Sequence, residues 1–151
     1  IRMLAASVDK DSAKDGLMTI HILTISMTEK EKIISDYIDA YNNFDIDKMI
    51  ADFDENIVFE NLLNGEINMS LSGLTSFKEQ AQQAKNYFSA RTQTIKSFKH
   101  ENEQTEITIE YYAILTLDFP NGLKKGDELK LQGKSIFKFA DDKIIKLTDI
   151  S

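Results

Sequence analysis

The stretch ENIVFENLLNGEINMSLS, residues 55–72, limits the possible folds more than any other part of this chain. Two alternating runs are joined by Asn64-Gly65, a pair suited to a tight two-residue turn with positive φ at both central positions. In the register this turn predicts, Leu63 faces Glu66, Leu62 faces Ile67, Glu60 faces Met69 and Val58 faces Leu71. Successive strand residues point to opposite faces. One face then carries Val58, Glu60, Leu62, Ile67, Met69 and Leu71, with Glu60 as the one charge in an apolar patch. The other face, with Ile57, Phe59, Asn61, Asn68 and Ser70, is more polar.

Before this hairpin the apolar period is helical. Ile33, Ile34, Tyr37, Ile38 and Tyr41 recur at helical spacing from Thr28 to Phe44, behind a Thr28–Glu31 capping box. Asp45 or Asp47 can cap a short second helix with the stripe Ile46, Met49, Ile50 and Phe53. After the hairpin, Leu74, Phe77, Ala81, Ala84 and Phe88 mark a third helix, with Ser76 and Glu79 as its capping box. Strands follow at 93–101, 107–117, 129–139 and 144–150, the last two joined at Asp141-Asp142. In the last strand Ile145, Leu147 and Asp149 share one face, and Ile144, Lys146, Thr148 and Ile150 share the other. Asp149 therefore either leads the strand out into water or faces a cavity. The order is that of an α+β domain: helices on one face of a strongly bent antiparallel sheet, closing in a meander.

The 151 residues suffice for one domain with a real core. A formal charge of −7 disfavours nucleic acid and anionic membrane surfaces as partners. The chain has no cysteine, which excludes disulfides and thiolate chemistry, and its two histidines leave little for a metal site. No apolar run approaches the roughly 20 residues needed to span a bilayer, and the expected location is cytoplasmic. Residues 1–26 read as a leader or expression-derived segment. The polar IRMLAASVDKDSAKDG and short apolar LMTIHILTIS lack the order of a signal peptide. Met27 reads as the natural start of a domain spanning 27–151.

The phrase YIDAYNNFDIDKMIADFDENIVFEN, with DDKIIKLTD near the end, resembles the nuclear transport factor two-like superfamily, which includes SnoaL-like polyketide cyclases and ketosteroid isomerases. The resemblance covers about residues 28–151. It implies a cone: a bent sheet wrapped around the N-terminal helices, with an interior pocket and often a homodimer through the outer sheet face. Residue by residue it also implies roles. The isomerases' oxyanion-donating tyrosine precedes an aspartate by eight positions, as Tyr37 precedes Asp45. Their catalytic carboxylate in the first strand corresponds to Glu60. Their second acid would fall near Ser135, which is not an acid. The cyclases' aspartate on the last strand corresponds to Asp149.

Several side chains are candidates for chemistry on their own account. A carboxyl enclosed by aliphatic neighbours, as Glu60 is in the expected register, would have its charged form disfavoured and could exchange a proton with carbon beside a carbonyl. Tyr37 could donate to a developing oxyanion or simply pack in the core; Tyr41 lies one turn on. His100, near a hairpin tip, reads as exposed, with proton relay as its alternative. Lys130, Lys134 and Lys138 mark a solvated strand face.

The expected pocket wall comprises Tyr37, Tyr41, Phe53, Glu60, Phe98, Ser135, Phe137 and Asp149. Its expected occupant is a small, largely apolar molecule. No metal or organic cofactor is implied, because proton transfer by a tuned carboxylate requires none. The leading reading is a non-catalytic binding domain. The alternatives are a cyclase- or isomerase-like enzyme using Glu60, Tyr37 and Asp149, and a dimeric assembly domain using outer-face residues such as Tyr112 and Ile114.

Overall fold

The computed structural model describes residues 28–151. The segment read as a leader, with His21, and Met27 lie outside the described residues. Helix α1 (Glu29–Asn42) opens on the expected capping box: Glu31 N–H donates to Thr28 Oγ1 at 3.2 Å, and Thr28 N–H donates to Glu31 Oε2 at 3.0 Å. These bonds satisfy donors that the first helical turn leaves open. Asp45 caps the short α2 (Ile46–Met49) by accepting from Lys48 N–H. Strands β1 (Phe53–Leu63) and β2 (Glu66–Ser72) form the hairpin at Asn64-Gly65. Helix α3 (Leu74–Ala84) starts earlier than its sequence suggests. Gly73 ends β2 at φ +92°, a conformation cheap only for glycine, and helix begins at once. Ser76 is already inside the first turn, its hydroxyl donating back to Ser72 and Gly73 carbonyls.

Four long strands complete the chain: β3 (Phe88–Glu101), β4 (Gln104–Leu115), β5 (Glu128–Ala140) and β6 (Lys143–Ile150). They form an antiparallel meander within one six-stranded sheet ordered β2-β1-β6-β5-β4-β3. The sheet is curved and unclosed. It is not wholly antiparallel, because β1 lies parallel to β6. The chain carries its first hairpin to one edge and, through α3, starts the meander at the other. The two pieces meet only when β6 returns beside β1, as the separation of parallel neighbours in sequence requires.

Single extra residues decide which side chains face inward. Leu63 pairs with Glu66 and Leu62 with Ile67 as the turn dictates, but Asn61 pairs with Met69 and Glu60 with Ser70. Asn68 is thus an unmatched residue in β2, and the expected Glu60–Met69 and Val58–Leu71 pairs do not form. Likewise Lys138 pairs with Lys146 but Phe139 with Ile144, leaving Ile145 unmatched in β6. The inner row of β6 is therefore Ile144, Leu147 and Asp149, with Ile144 in the place expected of Ile145. Such bulges bend a strand and sharpen its twist, which suits a sheet that must curve around a helix.

Aromatic rings join helices to sheet. Phe77 of α3, fully buried, meets Phe53 edge-on at 4.9 Å and Phe59 at 5.6 Å between ring centroids. Tyr37 of α1 stacks on Phe53 at 5.5 Å and meets Phe137 edge-on at 5.7 Å. Such pairs add about 0.5–1.5 kcal/mol each beyond their area burial. Phe77→Ala should therefore cost about 3–5 kcal/mol in urea unfolding. Ile67→Ala, at a position 57% exposed, should change stability by no more than about 0.5 kcal/mol. Equal losses in the two variants would contradict this division of the core.

Candidate functional site

On the inner face, polar side chains of three adjacent strands come into one row. Asn61 of β1 is the register partner of Asp149 of β6, and Asp149 is the partner of Ser135 of β5. The three are 0%, 3% and 1% exposed. They lie beside a wholly apolar row on the same strands, formed by Phe59, Leu147 and Phe137. On β4, Ile107 continues the polar row beyond Ser135 and is fully buried.

The row has a definite hydrogen-bond order. Ser135 Oγ donates to Asp149 Oδ1 at 2.6 Å. Asn61 Nδ2 donates to Oδ1 of Asn68, the bulge residue, at 2.8 Å. This bond gives the unmatched residue a partner and turns the bulge into a support for the site. Asn61 Oδ1 is buried and accepts from nothing. A buried acceptor left unmade costs about 1–3 kcal/mol, so its persistence at a row containing a carboxylate calls for an account.

Glu60 is not in this row. It sits on the opposite face of β1, half-buried, with Lys146 Nζ 3.6 Å from its Oε2. The expected isolated glutamate in an apolar patch is replaced by a partly solvated ion pair. The cause is the bulk of Ile57 and Phe59, which claim the interior side of β1, while the Asn68 bulge moves Met69 and Leu71 of β2 away from Glu60. Asp149, by contrast, faces inward beside Ser135.

Other expected wall residues divide between core and periphery. Tyr37, Phe53 and Phe137 are core rings; Phe98 is half-buried. The Tyr41 hydroxyl lies 2.9 Å from that of Tyr111, both buried. Tyr112 and Ile114 are half-buried on the outer face, opposite Tyr111 and Ala113. His100 lies at the margin, its ring parallel to Phe98. Its Nδ1 is 2.8 Å from Thr105 Oγ1 and its Nε2 is 3.0 Å from Glu31 Oε1, so it tethers α1 to the β3–β4 hairpin.

Asn61, Arg91, Gln93 and Thr105 are buried polar residues that the sequence did not single out. A usable signal existed for Asn61, which continues the large apolar alternation Ile57, Phe59. Another existed in Asn42. Its side chain pairs with both backbone groups of Gln93, at 3.0 and 2.7 Å, and so fastens the end of α1 to the edge strand β3.

The tether makes a pH prediction. The His100 hydrogen bond, and after it the Thr28 N–H, hold the Glu31 carboxyl below its ordinary range. A carboxyl depressed in the folded state stabilises above its unfolded pKa, and this contribution is lost as pH falls through the folded value. His100→Ala should return Glu31 toward the ordinary range in a ¹³C NMR titration. It should also reduce the stability lost on acidification, by a small amount because the pair is partly solvated. An unmoved Glu31 would show that the histidine contributes nothing.

No curated protein matches the chain. Among solved structures, a protein described as a polyketide cyclase from Xanthomonas campestris pv. campestris is 19% identical with a TM-score of 0.68, covering 82% of this chain and 90% of its own. An LEH-like epoxide hydrolase from M. tuberculosis is 15% identical with a TM-score of 0.64, covering 81% of each chain. A cystatin-fold protein from Novosphingobium aromaticivorans is 15% identical with a TM-score of 0.63, covering 83% of this chain and all of its own. At these identities the likeness is one of fold. The family model of the SnoaL-like domain matches residues 34–147. The chain belongs to the SnoaL-like family, within the nuclear transport factor two-like superfamily.

Proposed function

We propose that this domain binds a small, largely apolar molecule against the inner face of its sheet and holds one hydrogen-bond donor of that molecule at Asn61 and Asp149. The observation that carries the reading is the buried Asn61 Oδ1 without a donor, in register with a buried carboxylate. A buried acceptor without a donor, in register with a carboxylate, is costly alone and favourable once a hydroxyl, enol or water is supplied. The apolar row of Phe59, Leu147 and Phe137 suits the rest of such a molecule.

Chemistry at the site follows from the same groups. Ser135 fixes one oxygen of Asp149, and so the direction of the carboxylate. A ligand that presents an acidic hydrogen to Asp149 can pass its proton there. Glu60 has no part in this step, because its carboxylate lies on the other face beside Lys146. Tyr37 serves as an aromatic wall between Phe53 and Phe137.

Displacement of a bound fluorescent hydrophobe tests the reading. A hydrogen bond to a charged group contributes about 1.5–3 kcal/mol. 2-Naphthol should therefore displace the probe at concentrations at least about tenfold lower than 2-methoxynaphthalene, which lacks the donor. Asp149→Asn should erase most of that preference, and Glu60→Gln should leave it within about twofold, with folding checked by circular dichroism. Equal binding of alcohol and ether, or an equal loss in both variants, would refute the assignment.

A further inference from the structure

A second buried polar group lies away from the inner row, where the end of α1 meets β3. Arg91 is 3% exposed. Its Nε donates to the carbonyl of Tyr41 at 2.9 Å, and its guanidinium carbon lies 3.8 Å from the centre of the Tyr41 ring and 4.3 Å from that of Phe44. The helix C-terminus and two ring faces favour a cation. They do not use all its donors: Nη2 is buried with no acceptor, and among the described residues no carboxylate pairs with Arg91. A guanidinium presents donors in a planar fork that fits a carboxylate, and a buried unpaired donor of this kind is costly.

Phe44, the residue covering Arg91, is itself unusual. Its φ is +58°, a left-handed conformation uncommon for a bulky side chain. The same residue lines an open groove of about 410 Å³ together with Asn43, Asp45, Ile46, Asp47, Gln82 and Lys85. The groove's charges are unevenly engaged. Asp47 pairs with Lys78 at 3.1 Å, and Asp45 caps α2 and lies 3.9 Å from Lys48. Lys85 has no ion pair among the described residues. The groove therefore offers one free cation at its rim and a second behind Phe44.

From this arrangement we infer that the groove is a binding site for a small organic carboxylate, with Phe44 as the movable cover over Arg91 and Lys85 as the rim contact. This site is separate from the inner row and does not depend on the function proposed above. In the bound form the carboxylate accepts from Nη2 of Arg91, and the Phe44 ring turns off the guanidinium. Asn43 and Gln82 supply neutral hydrogen-bonding groups along the groove.

Benzoate is a suitable probe and benzamide its neutral counterpart, each followed by ¹⁵N chemical-shift titration of the intact protein. Benzoate should shift the amides of residues 43–47 and 85 and the Arg91 Nε signal, and bind at least fivefold tighter than benzamide. Lys85→Gln should weaken benzoate binding about threefold or more. Phe44→Gly relieves the positive φ and removes the cover, so it should bind benzoate more tightly, with folding checked by circular dichroism. Arg91→Met should abolish the preference for benzoate; if that variant does not fold, the Phe44 and Lys85 results decide alone. Equal binding of benzoate and benzamide, shifts confined to other regions, or a Phe44→Gly protein with weaker or no benzoate binding would overturn the inference.

Discussion

The side-chain period of a β-strand is two, so one extra residue moves everything beyond it to the other face. Two such residues, Asn68 in β2 and Ile145 in β6, set which side chains of those strands turn to the interior. With them in place, Met69 and Leu71 of β2 come opposite Asn61 and Phe59, which face inward from β1, and Ile144, Leu147 and Asp149 of β6 face inward too. Without the Asn68 bulge, Met69 and Leu71 would oppose Glu60 and Val58 rather than Asn61 and Phe59. The bulge is also fixed by the residue it serves, since Asn68 accepts from the Asn61 amide. One end of the polar row is thus supported by a local irregularity of the neighbouring strand.

Around that row the structure separates tasks. Tyr37, Phe53, Phe59, Phe77 and Phe137 fasten α1 and α3 to the sheet through ring contacts. Asn42 and Arg91 fasten the end of α1 to β3 by hydrogen bonds. His100 and Glu31 do so at the other end of the helix. Held at both ends, α1 keeps its buried stripe over the inner face. Satisfied polar contacts of this kind rigidify; the unsatisfied atoms of Asn61 and Arg91 are the places where a bound molecule would gain most. Among the described residues no helix is long and apolar enough to cross a membrane.

Much of this fold was legible from local rules. The capping box at Thr28, the cap at Asp45, the turn at Asn64-Gly65 and the closing meander each follow from a signal a few residues long. What escaped was non-local or cumulative. In β1 both rows are apolar, Val58 and Leu62 on one side and Ile57 and Phe59 on the other, so hydrophobicity could not choose the inner face. A bulge leaves no reliable mark in sequence, and the one at Asn68 took Met69 and Leu71 away from Glu60. The parallel contact of β1 with β6 joins opposite ends of the domain, beyond the reach of any periodicity. Asp149 is legible as a candidate because it continues the row of Leu147; its partner Ser135 is reached only through the family resemblance.

The claim on which the site depends is the facing of β1, and thiol labelling tests it directly in a chain that has no cysteine of its own. Cysteine is placed singly at each of two neighbouring positions, Glu60→Cys and Asn61→Cys, and reaction with a maleimide is followed under native conditions. The thiol at position 60, half-buried but reached by water, should react under native conditions and far faster than the thiol at 61. The thiol at 61 should react only as fast as the protein opens, and fully once urea unfolds it. Protection at 60 with rapid labelling at 61 would put the glutamate inside after all and dissolve the Asn61–Asp149–Ser135 site.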